Sequence, residues 1–337
     1  MAAPAPHIPV LLDPVLAALR PAAGELHVDG TFGAGGYTQA ILKTGAKVIA
    51  FDRDPTAIAS GKTRFADAGD ALTLIEAPFD QLGDVLEAEG RAPVHGVVFD
   101  FGVSSMQLDQ AGRGFSFMAD GPLDMRMGAG RPASDFIAEA SAAELADVIF
   151  HYGEERRARH LANLIVAARD EAPITTTGEL AAIAEKALGR GAKIHPATKL
   201  FQAIRIFIND ELGQIVRALI AAERVLAEGG RLVAVSFHSL EDRIVKRFLA
   251  AVSGSNEGGS RHLPPQAGPT PTFAKPAKAV SPSDDEVAAN PRARSARLRA
   301  ATRNGAAITQ WTEARLSGLG IPPLVFSPLQ QRWSVSV

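Results

Sequence analysis

The hydrophobic positions of the first hundred residues fall in short continuous runs, each followed by a stretch of helical periodicity. Leu26 to Val28 closes on Asp29, Lys47 to Phe51 closes on Asp52, Ala71 to Ile75 is a third run, and Gly96 to Phe99 closes on Asp100. Runs without polar alternation predict strands buried on both faces, and their interleaving with helices predicts a largely parallel sheet covered on both sides. Ligands of such sheets lie beyond the carboxyl ends of the strands. Asp29, Asp52, Phe79 and Asp100 all fall there.

The pattern changes after Gly102. Residues 102–131 lack periodicity but hold Phe115, Phe117, Met118, Met125 and Met127, too apolar a set for disorder, so an ordered loop over the ligand is expected. Helical periodicity then covers Ser134 to Ala140, Ala142 to Phe150, Glu154 to Asp170 and Thr177 to Leu188, with no strand between them. Pro196 to Ala227 reads as one long amphipathic helix, with Phe201, Ile204, Ile208, Leu212, Ile215 and Leu219 three or four apart. A fifth strand, Arg231 to Phe237, runs into His238, and Ile244 to Ala251 is a short basic helix.

This order predicts a core made of residues 1–108 and 196–304, a helical insert over 109–195, and an extension, 305–337, to which the sequence assigns no role. Ser253 to Asn290, rich in Pro, Gly and Ser, reads as a mobile loop or excursion. Arg292, Arg294, Arg297 and Arg299 form either a phosphate patch or a last strand turning its arginines to solvent. Arg156, Arg157 and Arg159 are either a solvated helix face or an RNA contact.

The stretch from Leu26 to Thr38 is a strand, a glycine-rich turn and a helix start. Gly33, Gly35 and Gly36 let the backbone turn and approach a ligand where a Cβ would collide. No Gly-x-Gly-x-x-Gly lies there. Instead Asp29 is followed at the fourth and sixth positions by Gly33 and Gly35, with Thr31 where a further glycine is common. An acid at the loop entrance repels a pyrophosphate but can receive the ammonium of an amino acid, and Asp52 is placed for ribose hydroxyls. S-adenosylmethionine is the ligand this favours; the alternative is a turn with no ligand.

Composition narrows the classes. The 337 residues are 46% hydrophobic with a formal charge of −2, so nucleic acid would have to be met by local patches rather than bulk charge. There are no cysteines, which removes disulfides, thiolate metal sites and cysteine nucleophiles, and the eight histidines show no metal-ligand spacing. No basic start followed by an apolar core, and no run of 18 apolar residues, is present, so a cytoplasmic protein without membrane attachment is expected.

Nine blocks carry a resemblance. Asp29-Gly-Thr-Phe-Gly-Ala-Gly-Gly, Phe51-Asp-Arg-Asp-Pro, Asp100-Phe-Gly-Val-Ser-Ser, the loop from Arg113 to Arg126, Tyr152-Gly-Glu-Glu-Arg, His195-Pro-Ala-Thr, Phe201-Gln-Ala-Ile-Arg, the run from Ser236 to Lys246 and Asn290-Pro-Arg-Ala-Arg-Ser occur in order. Together they resemble the bacterial 16S ribosomal RNA (cytosine-N4)-methyltransferases of the RsmH/MraW family. The resemblance implies a class I S-adenosylmethionine-dependent methyltransferase, a Rossmann-like α/β fold, whose core carries an inserted all-helical domain for substrate recognition. It implies 16S ribosomal RNA as partner, within the 30S subunit, and a monomer or homodimer. Implied cofactor contacts are Gly33, Gly35, Gly36, Tyr37, Asp52, Phe79, Asp100 and Gln107. Ala34 and Tyr37 stand where the family often has arginine and histidine, and the Tyr37 hydroxyl is expected to take over a contact.

Methyl transfer from a sulfonium needs alignment and exclusion of water rather than a nucleophilic residue. Asp100 is a candidate acceptor for the hydrogens of a cytosine amine, and is otherwise a cofactor contact. His238 is a second candidate catalytic group or a structural hydrogen-bonding one. Phe115, Phe117 and Arg113 are candidates to hold a flipped base, with core packing as the alternative. A small-metabolite methyltransferase and a non-catalytic RNA-binding factor remain competing readings; a nicotinamide dehydrogenase is further off.

Overall fold

The computed structural model describes residues 9–103, 105–189, 195–255 and 270–333. The Ala/Pro-rich start Met1 to His7, and residues 256–269 in the middle of the Pro/Gly/Ser-rich segment, lie outside them. The chain separates into two compact units: residues 1–102 with 214–321, and residues 103–213 with 322–337.

The first unit is built on the strands the apolar runs predict. In chain order it begins with α1 (Leu12–Leu19), β1 (Leu26–Asp29), α2 (Gly36–Leu42), β2 (Lys47–Asp52), α3 (Pro55–Arg64), β3 (Leu72–Glu76), α4 (Leu82–Ala88) and β4 (Val94–Asp100). α3 starts where Asp54 accepts the Thr56 N–H at 3.0 Å and Pro55 presets the first turn.

The second unit is helical: α5 (Ser105–Asp109), α6 (Ala133–Glu139), α7 (Ala142–Gly153), α8 (Ala158–Glu171), α9 (Thr177–Leu188) and α10 (Ala197–Ile208). α7 and α9 open with reciprocal capping boxes, Ser141 with Glu144 and Thr176 with Glu179. The expected single helix from Pro196 to Ala227 is instead two, α10 and α11 (Glu211–Val225). The break has a cause. Asn209, buried at 3% exposure, accepts the Met127 N–H at 2.9 Å and donates to the Met125 carbonyl at 2.8 Å, and Asp210 adopts a left-handed φ of 48°.

The chain then completes the sheet with β5 (Leu226–Ser236), α12 (Ser239–Val252), α13 (Asp284–Ala289) and β6 (Arg297–Thr302), followed by α14 (Glu313–Gly318) and α15 (Pro328–Trp333). The strand order is β3-β2-β1-β4-β5-β6; the first five are parallel and β6 runs antiparallel at the edge. α12 starts five residues before the expected Ile244. Of the two readings of Ser253 to Asn290, a mobile loop or an excursion, the second fits its described latter part: Phe273 is fully buried, and Glu286 Oε1 accepts the Leu11 N–H at 2.6 Å.

The extension given no role finishes both units. Trp311 stacks on Phe248 at 5.2 Å and donates to buried Glu223 at 3.0 Å in the first. In the second, Trp333 packs edge-on to Phe136 at 5.3 Å, and Gln330 bonds the Tyr152 hydroxyl and the Phe207 carbonyl.

Candidate active site

β1 stops two residues short of its neighbours. In the parallel registers Asp29 pairs with Ala50 of β2 and Val98 of β4, so Asp52 and Asp100 each stand two positions further along. The chain leaving β1 therefore turns in a notch between two longer strands, where the strand order changes direction. That is the switch point at which open α/β sheets bind ligands.

Side chains hold the turn in the notch. Asp29 accepts the Thr31 N–H at 3.1 Å and the Thr38 hydroxyl at 2.7 Å. Asp52 accepts the Gly33 N–H on one oxygen and the Asp54 N–H on the other, both at 2.8 Å. Thr31 Oγ accepts the Asp100 N–H at 2.7 Å, tying the turn to the end of β4.

The glycines divide by what a side chain would meet. Gly33 has φ 52°, and the nearest atom to a Cβ there is the Thr31 carbonyl oxygen at 3.8 Å, so backbone conformation is what requires glycine. A Cβ at Gly35 would lie 2.6 Å from Phe65 and 2.8 Å from Phe32, and one at Gly36 would strike Pro9. What the missing Cβ atoms make room for at these two positions is protein, which corrects the reading that they clear space for a ligand. Tyr37 is corrected similarly: its hydroxyl donates to the Val10 carbonyl at 2.5 Å inside the core, with the residue 4% exposed.

Three carboxylates converge on this turn. Burial, with Asp52 nearby, pushes Asp29 up to about 6 against the pull of its bonds from Thr38 and Thr31. Burial also raises Asp52, partly offset by the N–H groups of Asp54 and Gly33. Asp100 is pushed well above the usual carboxylate range, by burial first and then by Asp29 and Glu241. Its Oδ1 is buried with no hydrogen-bond partner among the described residues. A buried acceptor among mutually repelling acids favours a ligand that brings positive charge and hydrogen-bond donors.

Phe79 follows β3 and rests on the buried pair Phe99 and Phe101, at ring separations of 5.8 and 5.7 Å, while staying half-buried itself. Gln107 lies on α5 of the helical unit and is 8% exposed. His238 is the N-cap of α12. Its Nδ1 accepts the Glu241 N–H at 3.4 Å, its Nε2 lies 3.1 Å from Glu241 Oε1, and Glu241 Oε2 accepts the N–H groups of Phe237 and His238. Nδ1 caps α12, while Nε2 is buried with no hydrogen-bond partner among the described residues despite its approach to Glu241.

Phe115 is 5% exposed, with the Arg113 guanidinium 5.8 Å from its ring. Phe117 is stacked on His195 at 4.5 Å and edge-on to Phe201 at 5.1 Å. Of the two readings of the C-terminal arginines, strand β6 accounts for Arg297 and Arg299, and Arg299 is bidentate to Asp242 at 2.7 and 3.0 Å.

Thr31 and Thr38 were not legible as site residues. Thr31 looked only like a departure from glycine; its hydroxyl ties the turn after β1 to the end of β4.

A parallel sheet with an antiparallel edge, a glycine turn notched at its switch point and acids at the tips of β1, β2 and β4 define a class I S-adenosylmethionine-dependent methyltransferase. Residues 4–304 match the model of the MraW methylase family, and the chain belongs to that family. It is 59% identical over 304 residues to the ribosomal RNA small subunit methyltransferase H of Rhodopseudomonas palustris (strain TIE-1), covering 89% of this chain and 91% of that protein. With the protein of the same name from Maricaulis maris (strain MCS10) it shares 53% over 326 residues, 95% and 97% of the two chains. A crystal structure of an rRNA methylase from Streptococcus thermophilus aligns over 87% of this chain and 93% of that one, at 13% identity and a TM-score of 0.38.

Proposed function

We propose that this chain transfers a methyl group from S-adenosylmethionine to the N4 amine of a cytidine in the decoding region of 16S ribosomal RNA, within the 30S subunit and in the cytoplasm. The names its relatives share support the substrate class. The Asp100 Oδ1 at the tip of β4, buried with no hydrogen-bond partner among the described residues, is the observation that carries the chemistry. In this reading residues 1–108 and 196–304 hold the cofactor, and residues 109–195 recognise RNA.

S-adenosylmethionine, when bound, supplies an electrophilic methyl group on a cationic sulfur. Asp52 would accept hydrogen bonds from its ribose hydroxyls, Phe79 would offer an apolar face, and Gly33, Gly35, Gly36, Tyr37 and Gln107 complete the proposed set. Tyr37 contributes backbone only, since its hydroxyl is committed to Val10.

The cytosine amine is a weak nucleophile because its lone pair is spread into the ring. Asp100, ionised, would accept a hydrogen of that amine and favour the pyramidal form, and its raised proton affinity suits it to take the proton released after transfer. No nucleophilic side chain is involved. His238 is left as the cap of α12.

Tritium transfer to 30S subunits from a strain lacking this gene, followed by mass spectrometry of the RNA, tests the proposal. Labelling of a single cytidine is expected. Labelling of free nucleosides instead would favour a metabolite enzyme, and cofactor binding without transfer would favour a binding factor.

A further inference from the structure

Most arginines of the helical unit are tied to other groups. Arg126 pairs with Asp124, Arg131 with Asp135 and Glu139, Arg205 with Glu211 and Arg332 with Glu144. Arg113 donates to the Arg126 carbonyl, and Arg169 donates to the carbonyls of Ile137 and Ala140. Arg156, Arg157 and Arg159 differ: all three are exposed, and among the described residues their guanidinium groups have no hydrogen-bond or ion-pair partner.

Their placement costs the fold something. They flank and enter the first turn of α8, which holds no acidic residue, and cations at a helix N-terminus oppose its dipole. α7 and α9 begin with the opposite choice, a glutamate at the third position. The carboxylate that could have neutralised the group is turned away: Glu155 accepts the Arg157 N–H at 2.9 Å and pairs with Lys199 at 3.5 Å.

The corner between α7 and α8 is rigidly framed. The Tyr152 carbonyl accepts from Gln202 at 3.0 Å and the Glu154 carbonyl from Lys199 at 2.9 Å, while Ala158 and Leu161 are buried beneath the arginines. Just before them in sequence stands Phe150, 52% exposed, with its ring edge-on to His151 at 5.0 Å.

We propose that this corner is a contact surface for RNA, with Arg156, Arg157 and Arg159 on backbone phosphates and Phe150 stacked on an unpaired base. The proposal rests on the RNA substrate argued above. Three exposed guanidinium groups with no partner among the described residues match a phosphodiester backbone, and an exposed aromatic a few positions earlier in the chain matches a base face.

The test is binding of a 16S fragment containing the decoding region, measured across a salt series on the full chain. R156A/R157A/R159A is expected to bind at least about tenfold more weakly and to lower the slope of log K against log salt by about 2 to 3. The triple lysine variant is expected to recover the slope, because a point charge suffices for a phosphate. Phe150→Ala is expected to weaken binding roughly tenfold with the slope unchanged. Unchanged cofactor affinity and thermal midpoint show that the variants are folded. Wild-type affinity and slope in the alanine triple would overturn the inference alone, as would a loss seen with 30S subunits but not with naked RNA, which assigns the corner to a protein. Failure of the wild type to bind either one would remove the RNA reading as well.

Discussion

The Thr31 hydroxyl accepts the backbone N–H of Asp100 at 2.7 Å, so the turn after β1 and the end of β4 are one mechanical piece. Thr31→Val would leave that N–H without an acceptor. A stability loss of about 1–3 kcal/mol is expected by urea unfolding, with reduced turnover. Thr31→Ser keeps the hydroxyl and is expected to recover most of both; equal loss in the two variants would show that the methyl group, not the hydrogen bond, matters.

Asp100→Asn should separate stability from activity. A group whose folded pKa is raised contributes stability that declines as pH rises above the ordinary carboxylate value, because the folded state resists ionising it. The amide variant is expected to show a higher unfolding midpoint than the parent at pH 8 and a shallower decline with pH. Methyl transfer to 30S subunits is expected to fall by roughly 10²-fold or more. Parental turnover in the tritium assay would remove Asp100 from the reaction.

Asp52→Ala is expected to weaken S-adenosylmethionine binding by calorimetry. Its two oxygens also hold the N–H groups of Gly33 and Asp54, so the alanine variant loses the shape of the turn along with any ribose contact. Asp52→Asn, which keeps one acceptor oxygen, is expected to fall between parent and alanine. Unchanged affinity in both would discard the assignment.

Cofactor binding should depend on pH with a definite sign. Asp29 is held near 6, and Asp52 and Asp100 are raised as well, so part of this cluster is protonated in the free protein near pH 6. A cation entering the notch favours the ionised forms. Affinity is therefore expected to rise with pH through that region, with protons released on binding. Calorimetry in buffers of different ionisation enthalpy reads the proton count; a count of zero near pH 6 would argue that the sulfonium does not sense these acids.

At the opposite end of β1, Glu25 accepts from Arg231 at 2.5 Å and lies 2.9 Å from His27 Nε2. Burial alone would raise its pKa, but the bonds from Arg231 and His27 outweigh it and bring it to about 2. Its contribution is fully present above the unfolded value of 4.5 and is lost as pH falls toward 2. Glu25→Gln is expected to flatten stability over that acid limb, measured by denaturant unfolding at a series of pH values.

Much of the fold was legible because the centres of β2 and β4 are continuous apolar runs ending in an aspartate, and β1, interrupted only by His27, ends in one too, a pattern that needs no knowledge of the rest of the chain. The break at Asn209 was not, because Ile204, Ile208, Leu212 and Ile215 continue the helical period across it. The reason for the break is a tertiary bond to Met125 and Met127, more than 80 residues away. The notch acids were legible by position, whereas Thr31 was hidden by being neither glycine nor charged. Of the two readings of His238, the structural one was also legible in the sequence: His-Ser-Leu-Glu has the spacing of a capping box, with an imidazole in the place of the usual hydroxyl.

β4 and β5 are neighbours in the sheet, yet Val94 and its partner Leu226 are separated in sequence by all the helices from α5 to α11. During synthesis at about 5–20 residues per second, β4 emerges on the order of ten seconds before the strand that covers its edge. Over that interval Val97, Val98 and Phe99 lie on a strand with one row of amides and carbonyls open to any other nascent chain. The time for which this edge stays uncovered is set by the length of what is inserted, so slower translation lengthens it and a shorter insert is the change that would relieve it.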